Sequence, residues 1–343
     1  MSCFFIAEAG VNHNGSLDLA LKLVDAAADA GADAVKFQTF RADELVAPGT
    51  AKAEYQTATT GQGDQHSMIR ALELRESDYE VLARRCAMRG IEFMSTPFDT
   101  WAADLLIRLG MKRIKIPSGE ITNRPFLEHL AGTGLPLILS TGMATLAEVE
   151  TAKSWLVEAR NAAAHDADPA GVLTVLHCTS NYPARPEDVN LSAMLTMQRV
   201  LQLPVGYSDH TLGIEISLAA VALGATVIEK HFTLDRDLPG PDHQASLDLD
   251  ALGALITGIR SISSAWGDGV KAPRPSELPV RALVRRSAFA TRRLEVGDRI
   301  ADADLRYLRP GTGIGPEHSH ELRQRFLARA VEAGQMLSWS DLR

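Results

Sequence analysis

The sequence predicts an eight-stranded parallel (β/α)8 TIM barrel followed by a small C-terminal β-rich domain. Three observations carry that prediction. Short apolar runs of strand type recur eight times within roughly the first 265 of 343 residues. Each run breaks into a polar or charged cluster, and a helix-patterned segment follows. Strands alternating with helices at this spacing build parallel sheets, and eight such units at this length make one barrel. A doubly wound open sheet normally carries a glycine-rich phosphate turn after its first strand. Gly10-Val11-Asn12-His13-Asn14-Gly15 has the wrong glycine spacing for one.

Phe4 to Ala7 is a buried-type strand ending at Glu8. Ser16 caps a helix with Leu17, Ala20, Leu21, Val24 and Ala28 on one face, and Gly31 ends it. Ala34-Val35 leads into Lys36-Phe37-Gln38, a strand with a charge at its end. Residues 41–76 form a long polar stretch, and a connection of that length in a compact domain is expected to be a functional lid. Ser77 and Glu80 form a capping box for a helix running to Gly90.

The alternation continues along the chain. Ile91 to Met94 ends at Ser95-Thr96-Pro97, with a helix from Asp99. Arg113 to Ile116 ends at Pro117-Ser118-Gly119-Glu120, with a helix from Pro125. Leu137 to Leu139 ends at Ser140-Thr141-Gly142, and Thr145 and Glu148 cap the next helix. Val172 to Leu176 ends at His177-Cys178-Thr179-Ser180-Asn181-Tyr182, with a helix from Leu191. Strands at 204–207 and 226–230 complete the eight. The first breaks into Ser208-Asp209-His210 and the second into Glu229-Lys230-His231, with one helix from Gly213 to Gly224 between them. A helix from Leu249 to Trp266 closes a barrel domain of residues 1–266. Residues 267–284 carry three prolines without periodicity and read as an extended linker. Residues 285–343 form the β-rich domain, with strands at Ser287–Ala290 and Asp304–Leu308 and a turn-rich loop opening at Arg309. A domain this small has a thin core and is expected to lean on another surface.

Composition narrows the function. Hydrophobic residues make up 45% and charged residues 23%, the balance of an ordinary globular protein. A net charge of −8 argues against nucleic acid as partner. Cys3, Cys86 and Cys178 are too few and scattered for a disulfide framework, which points to a reducing cytoplasm. Met1 to Gly10 lacks the pattern of a secretory signal, and no apolar run is long enough to span a membrane.

The strand ends suggest the chemistry. A single lysine at a barrel mouth is commonly just a snorkelling side chain. Lys36 and Lys115 together, converging with hydroxyls at Thr96, Ser118, Ser140 and Ser208, suit a phosphate. His210 and His231 end adjacent strands, which lie about 4.8 Å apart, so they can share a divalent ion such as Mn²⁺. The ordinary reading of two such histidines is backbone hydrogen bonding. Glu120, beside Ser118 and Lys115, suits general acid–base work, with a salt bridge to a lysine as its plain alternative. Cys178 reads as a small lining residue, because nothing in sequence marks it for activation.

The ordered segments EAGVNHNG, VKFQTF, STPFD, KIPSGEI, LSTGM, LHCTSNYPA, GYSDHTLG, EKHFTL and GPDH resemble the sialic acid synthase family over essentially the whole chain. RPGTGI resembles that family's C-terminal antifreeze-like (SAF, β-clip) domain. The resemblance implies condensation of phosphoenolpyruvate with an N-acylated mannosamine-type sugar to a nonulosonic acid and phosphate, with C–O cleavage. It also implies dependence on Mn²⁺ or Mg²⁺ and a domain-swapped homodimer. By resemblance Lys36, Thr96, Lys115, Ser118, Ser140 and Ser208 hold phosphoenolpyruvate, and His210 and His231 hold the metal. Glu8, Gln38, Tyr182 and Asp242 match sugar-site positions, Glu120 the proton-transfer residue, and Arg309 a reach made in trans. Ser180 stands where some sialic acid synthases have Asn. GPDH favours sialic or legionaminic over pseudaminic acid chemistry and leaves the first two open. Two other classes compete. One is an ice- or glycan-binding module, which would not need charged groups at eight strand ends. The other is a Schiff-base aldolase using Lys115 or Lys230.

Overall fold

Six of the seven residues of β1 (Phe4–Gly10) are buried, as expected of a parallel strand covered on both faces. In the computed structural model, which describes residues 3–165 and 168–343, β1 lies between β2 (Ala34–Thr39) and β8 (Val227–His231). The full order is β3-β2-β1-β8-β7-β6-β5-β4, all parallel, with β4 packed back against β3 to close the ring. The remaining strands are β3 (Glu92–Pro97), β4 (Ile114–Ile116), β5 (Leu137–Ser140), β6 (Leu173–Cys178) and β7 (Val205–Asp209).

The barrel interior follows from the two-residue period of strands. Ile6, Ala34, Met94, Ile138, Leu176 and Val227 form an apolar layer of their own, one residue from each of six strands. Two residues further along those strands come Glu8, Lys36, Thr96, Ser140, Cys178 and Glu229. The apolar layer therefore acts as the floor on which a polar mouth is built. Intervening residues such as Phe5, Ala7, Val35 and Val175 belong to the large core beneath the helices.

Ser16 caps Leu17–Asp29, Asp99 caps Thr100–Arg108, and Thr145 with Glu148 caps Leu146–Ala162, as the sequence predicts. Two local expectations are corrected. The helix expected to start at Ser77 is Glu76–Arg89, and the reach-back carboxylate is Asp78, which accepts from the Arg75 amide at 3.0 Å. The segment expected to be a lid contains three short helices, Ala42–Leu45, Glu54–Thr60 and Gln65–Arg70. Finally, the proline-rich segment ends in a helix, Leu278–Val284. Its Pro279 sits in the first turn, where no amide donor is missed.

The chain divides into two compact units, Met1–Gly267 and Asp268–Arg343. The second pairs β9 (Ser287–Ala290) with β10 (Leu305–Leu308) antiparallel, around a core of Ala288, Leu294, Ile300, Ile314, Leu327 and Leu337. Among the described residues no helix is long and apolar enough to cross a membrane.

Candidate active site

A cavity of about 550 Å³ opens at the carboxyl ends of the barrel strands. All fourteen site residues expected in the barrel line it: Glu8, Lys36, Gln38, Thr96, Lys115, Ser118, Glu120, Ser140, Ser180, Tyr182, Ser208, His210, His231 and Asp242. Arg309 belongs to the second unit, where it is exposed.

The charges interlock. Lys36 Nζ pairs with Glu8 at 2.8 Å, donates to Thr96 Oγ1 at 2.8 Å and lies 3.7 Å from Glu229. Lys115 Nζ lies 3.3 Å from Glu229, which also accepts from the Ser208 hydroxyl at 3.2 Å. Both carboxyls are buried, yet they titrate in opposite directions. Burial pushes the Glu8 carboxyl up to about 7 against the pull of Lys36. Burial opposes ionisation of Glu229 too, but Lys115 and Lys36 together outweigh it and bring that carboxyl down to about 2. One carboxyl of the pair is thus a fixed charge and the other an exchangeable proton. Ser140 Oγ is buried without a hydrogen-bond partner among the described residues, a hydroxyl free to meet a ligand.

Glu229 is the member that sequence reasoning missed. The triplet Glu229-Lys230-His231 reads only as the polar cluster that ends the strand, whereas all three residues lie in β8. Alternation was the available signal, since it sends Glu229 and His231 to the mouth and Lys230 outward. Lys230 lies outside the cavity, bonded to Asp209 at 2.6 Å and to the Thr211 carbonyl at 2.8 Å. Asp209 also accepts from Ser217 Oγ at 2.6 Å, on the helix Glu215–Ala222. A Schiff base at Lys230 therefore has no access to the cavity.

The two histidines sit with ring centroids 5.5 Å apart. His210 Nδ1 faces the Thr179 carbonyl at 2.9 Å, so Nε2 is its free nitrogen. His231 Nδ1 is buried without a hydrogen-bond partner and lies 3.8 Å from Asp242. Burial, and then the neighbouring His210, hold the His231 pKa well below the usual imidazole range, so the ring is neutral and ligand-competent. Burial raises the Asp242 carboxyl to about 6. Among the described residues no cluster of three or more His, Cys, Asp or Glu closes around a common ion position, so the histidines offer a partial shell. Cys178 lines the mouth as expected, but its setting is less inert than its sequence suggests. It lies 3.7 Å from His210 Nδ1, and although burial opposes ionisation, His210 together with Lys115 and Ser118 outweighs it and lowers the thiol pKa.

Glu120 sits at the rim, in the 3₁₀ turn Ser118–Glu120, half-buried and accepting from Asn123 Nδ2 at 2.6 Å. Its plain alternative, a lysine salt bridge, is not what the structure holds among the described residues. Behind it, the Gly142 amide donates to Ser118 Oγ at 2.9 Å. A side chain at Gly142, in the turn between β5 and the helix Leu146–Ala162, would put Cβ 2.1 Å from Ser180 Oγ and force that serine to move. Tyr182 packs over both imidazoles, with centroids 4.1 Å from His210 and 5.6 Å from His231. Tyr55 of the lid stacks on Tyr182 at 5.3 Å.

This geometry agrees with what the chain is similar to. Residues 23–271 match the model of the NeuB family and residues 285–343 that of the SAF domain. An N,N'-diacetyllegionaminic acid synthase of Legionella pneumophila is 52% identical over 343 residues, covering 100% of this chain and 95% of that protein. The enzyme of the same name from Campylobacter jejuni is 45% identical over 333 residues, covering 97% and 98%. Among solved structures, an N-acetylneuraminic acid synthetase of Leptospira borgpetersenii in complex with citrate superposes with a TM-score of 0.70. It is 38% identical, covering 82% of this chain and 90% of that one. With a parallel barrel whose mouth gathers lysines, hydroxyls and two imidazoles, and with these matches along its length, the chain is an enzyme of the NeuB family carrying a C-terminal SAF domain.

Proposed function

We propose that this enzyme condenses phosphoenolpyruvate with 2,4-diacetamido-2,4,6-trideoxymannose, giving N,N'-diacetyllegionaminic acid and phosphate. The carrying observation is the buried pair Lys36 and Lys115 around Glu229, bordered by the unpartnered Ser140 hydroxyl. Two ammoniums against one fixed carboxylate leave an excess positive charge, which suits an anionic donor substrate. The 52% identity to a synthase of that product favours it over N-acetylneuraminic acid, which the same mouth would also suit.

Each residue then has a task. Lys36, Lys115, Thr96, Ser118, Ser140, Ser180 and Ser208 bind the donor's phosphate and carboxylate. Gln38, Tyr182, Asp242 and Glu8 orient the acceptor so that its aldehyde carbon meets donor C3. As the C–C bond forms, donor C2 becomes cationic. Water adds at C2 and gives its proton to Glu120, and the tetrahedral product expels phosphate by C–O cleavage. His210 and His231 would hold a divalent ion, since a buried imidazole nitrogen without a partner faces Asp242, and the family resemblance implies Mn²⁺ or Mg²⁺. Such an ion supplies a Lewis acid for the aldehyde oxygen. The proposal includes a domain-swapped homodimer, in which Arg309 serves the partner's barrel. It also includes a cytoplasmic setting, suited to three buried free cysteines.

The test is phosphate release from phosphoenolpyruvate labelled with ¹⁸O in its bridging position. Label recovered in phosphate supports C–O cleavage. Label in the keto acid, or no release with any acylated mannosamine, overturns the proposal.

A further inference from the structure

We infer that the lid, residues 42–70, builds the half of the cavity that selects the acceptor, taking a second N-acyl group and a deoxygenated sugar carbon where hydroxyls would be rejected. The inference rests on the proposed condensation and adds the part of the chain that decides which sugar is used.

The cavity has two chemically distinct halves. The strand ends supply its charges. Against them stands an apolar cluster separate from the barrel core, in which the lid's Leu45 and Ile69 pack, with Phe98, on Val11, Phe40 and Leu72 from outside the lid. All six line the cavity. An apolar wall of this kind desolvates what it touches. A methyl gains there, while a hydroxyl is stranded without a partner. Within the same lid, Gln56 and Gln65 also line the cavity. Gln56 Oε1 is occupied by the Ala53 amide at 3.0 Å, which leaves its NH₂ to donate. The Gln65 carboxamide has no hydrogen-bond partner among the described residues. Carboxamides beside an apolar wall complement an acyl group, whose oxygen needs a donor and whose methyl needs burial.

The lid also lacks a cation for a phosphorylated sugar. Lys52 Nζ donates to Thr60 Oγ1 at 3.0 Å and to the Gly61 carbonyl at 3.1 Å, and Arg70 pairs with Asp43. Arg41, at the lid's start, lies over the Trp101 ring at 3.4 Å. The Tyr55–Tyr182 stack at 5.3 Å then holds this neutral wall against the mouth.

The test compares kcat/KM, by phosphate release, for 2,4-diacetamido-2,4,6-trideoxymannose and N-acetylmannosamine. The parent protein should prefer the first by about 100-fold, the scale on which apolar pockets discriminate. Ile69→Thr should cut that preference by roughly tenfold through acceptance of the hydroxylated sugar. Gln65→Leu should cut it similarly through loss of the diacetamido sugar, with circular dichroism showing both variants folded. Release with both sugars at unchanged ratios in both folded variants, or no preference in the parent, overturns the lid assignment alone. No release with either sugar overturns the underlying function as well.

Discussion

Asp209 and Lys230 meet at 2.6 Å on the outer faces of β7 and β8, the strands whose inner faces present Ser208, Glu229 and His231 to the cavity. Asp209 also accepts from Ser217 and Thr211, so the buried pair is fully satisfied. Lys230→Met would strand a buried carboxylate and should cost about 3–5 kcal/mol in urea unfolding. Combining it with Asp209→Asn should recover part of that loss. A cost under about 1 kcal/mol for the single variant would show that the pair holds nothing.

Lys115→Met should weaken phosphoenolpyruvate binding by roughly 1.5–3 kcal/mol, the worth of a charged hydrogen bond. Calorimetric titration of the donor into parent and variant without acceptor checks this. Acceptor affinity should move far less, and equal losses for both substrates would contradict the donor assignment.

Glu8 gives a pH dependence with a definite sign. Its carboxyl titrates near 7, so below that pH it is neutral and leaves the charge of Lys36 available to an anion. Above it, the carboxylate competes for the lysine. Donor affinity should therefore fall as pH rises from 6 to 8, and Glu8→Gln should flatten that fall. Taking the ratio of parent to variant Kd cancels the donor's own titration. A ratio constant between pH 6 and 8 rules the effect out.

His210→Ala and His231→Ala should each abolish turnover while leaving thermal unfolding near that of the parent. Direct measurement of Mn²⁺ binding by paramagnetic resonance should show the site lost in both. Full activity of the parent after exhaustive chelation would end the metal assignment.

A chain truncated near Ala282 should keep a folded barrel and lose most activity. Arg309, exposed and without an acidic partner among the described residues, should mimic that loss on substitution by Ala. Mixing Arg309→Ala with Glu120→Gln chains should restore some turnover if the residue serves a partner's barrel. A fully active monomer in sedimentation would refute the arrangement in trans.

Much of this was legible in the sequence because the barrel repeats one local rule. Apolar runs that stop at a polar residue mark both a strand and its catalytic end, and Glu8, Lys36, Thr96 and Ser140 were found that way. The rule failed at Glu229, where three charged or polar residues in a row end the strand and only the two-residue period separates inward from outward. The lid failed differently. Its helices are short, and their stability comes from ties such as Asp64 accepting from the Ser67 amide, which periodicity does not reveal. At Leu278–Val284, counting prolines concealed a helix, because Pro279 stands in the one turn that accepts it.

The space at Gly142 has a consequence for engineering. Its missing side chain is room already taken by Ser180 Oγ, Ser118 Oγ and Cys178 Sγ. A one-codon change to alanine would push against all three, from two different strand ends, at once. Filling that space would displace two serines assigned to the donor, so a library aimed at new acceptors should leave this glycine alone.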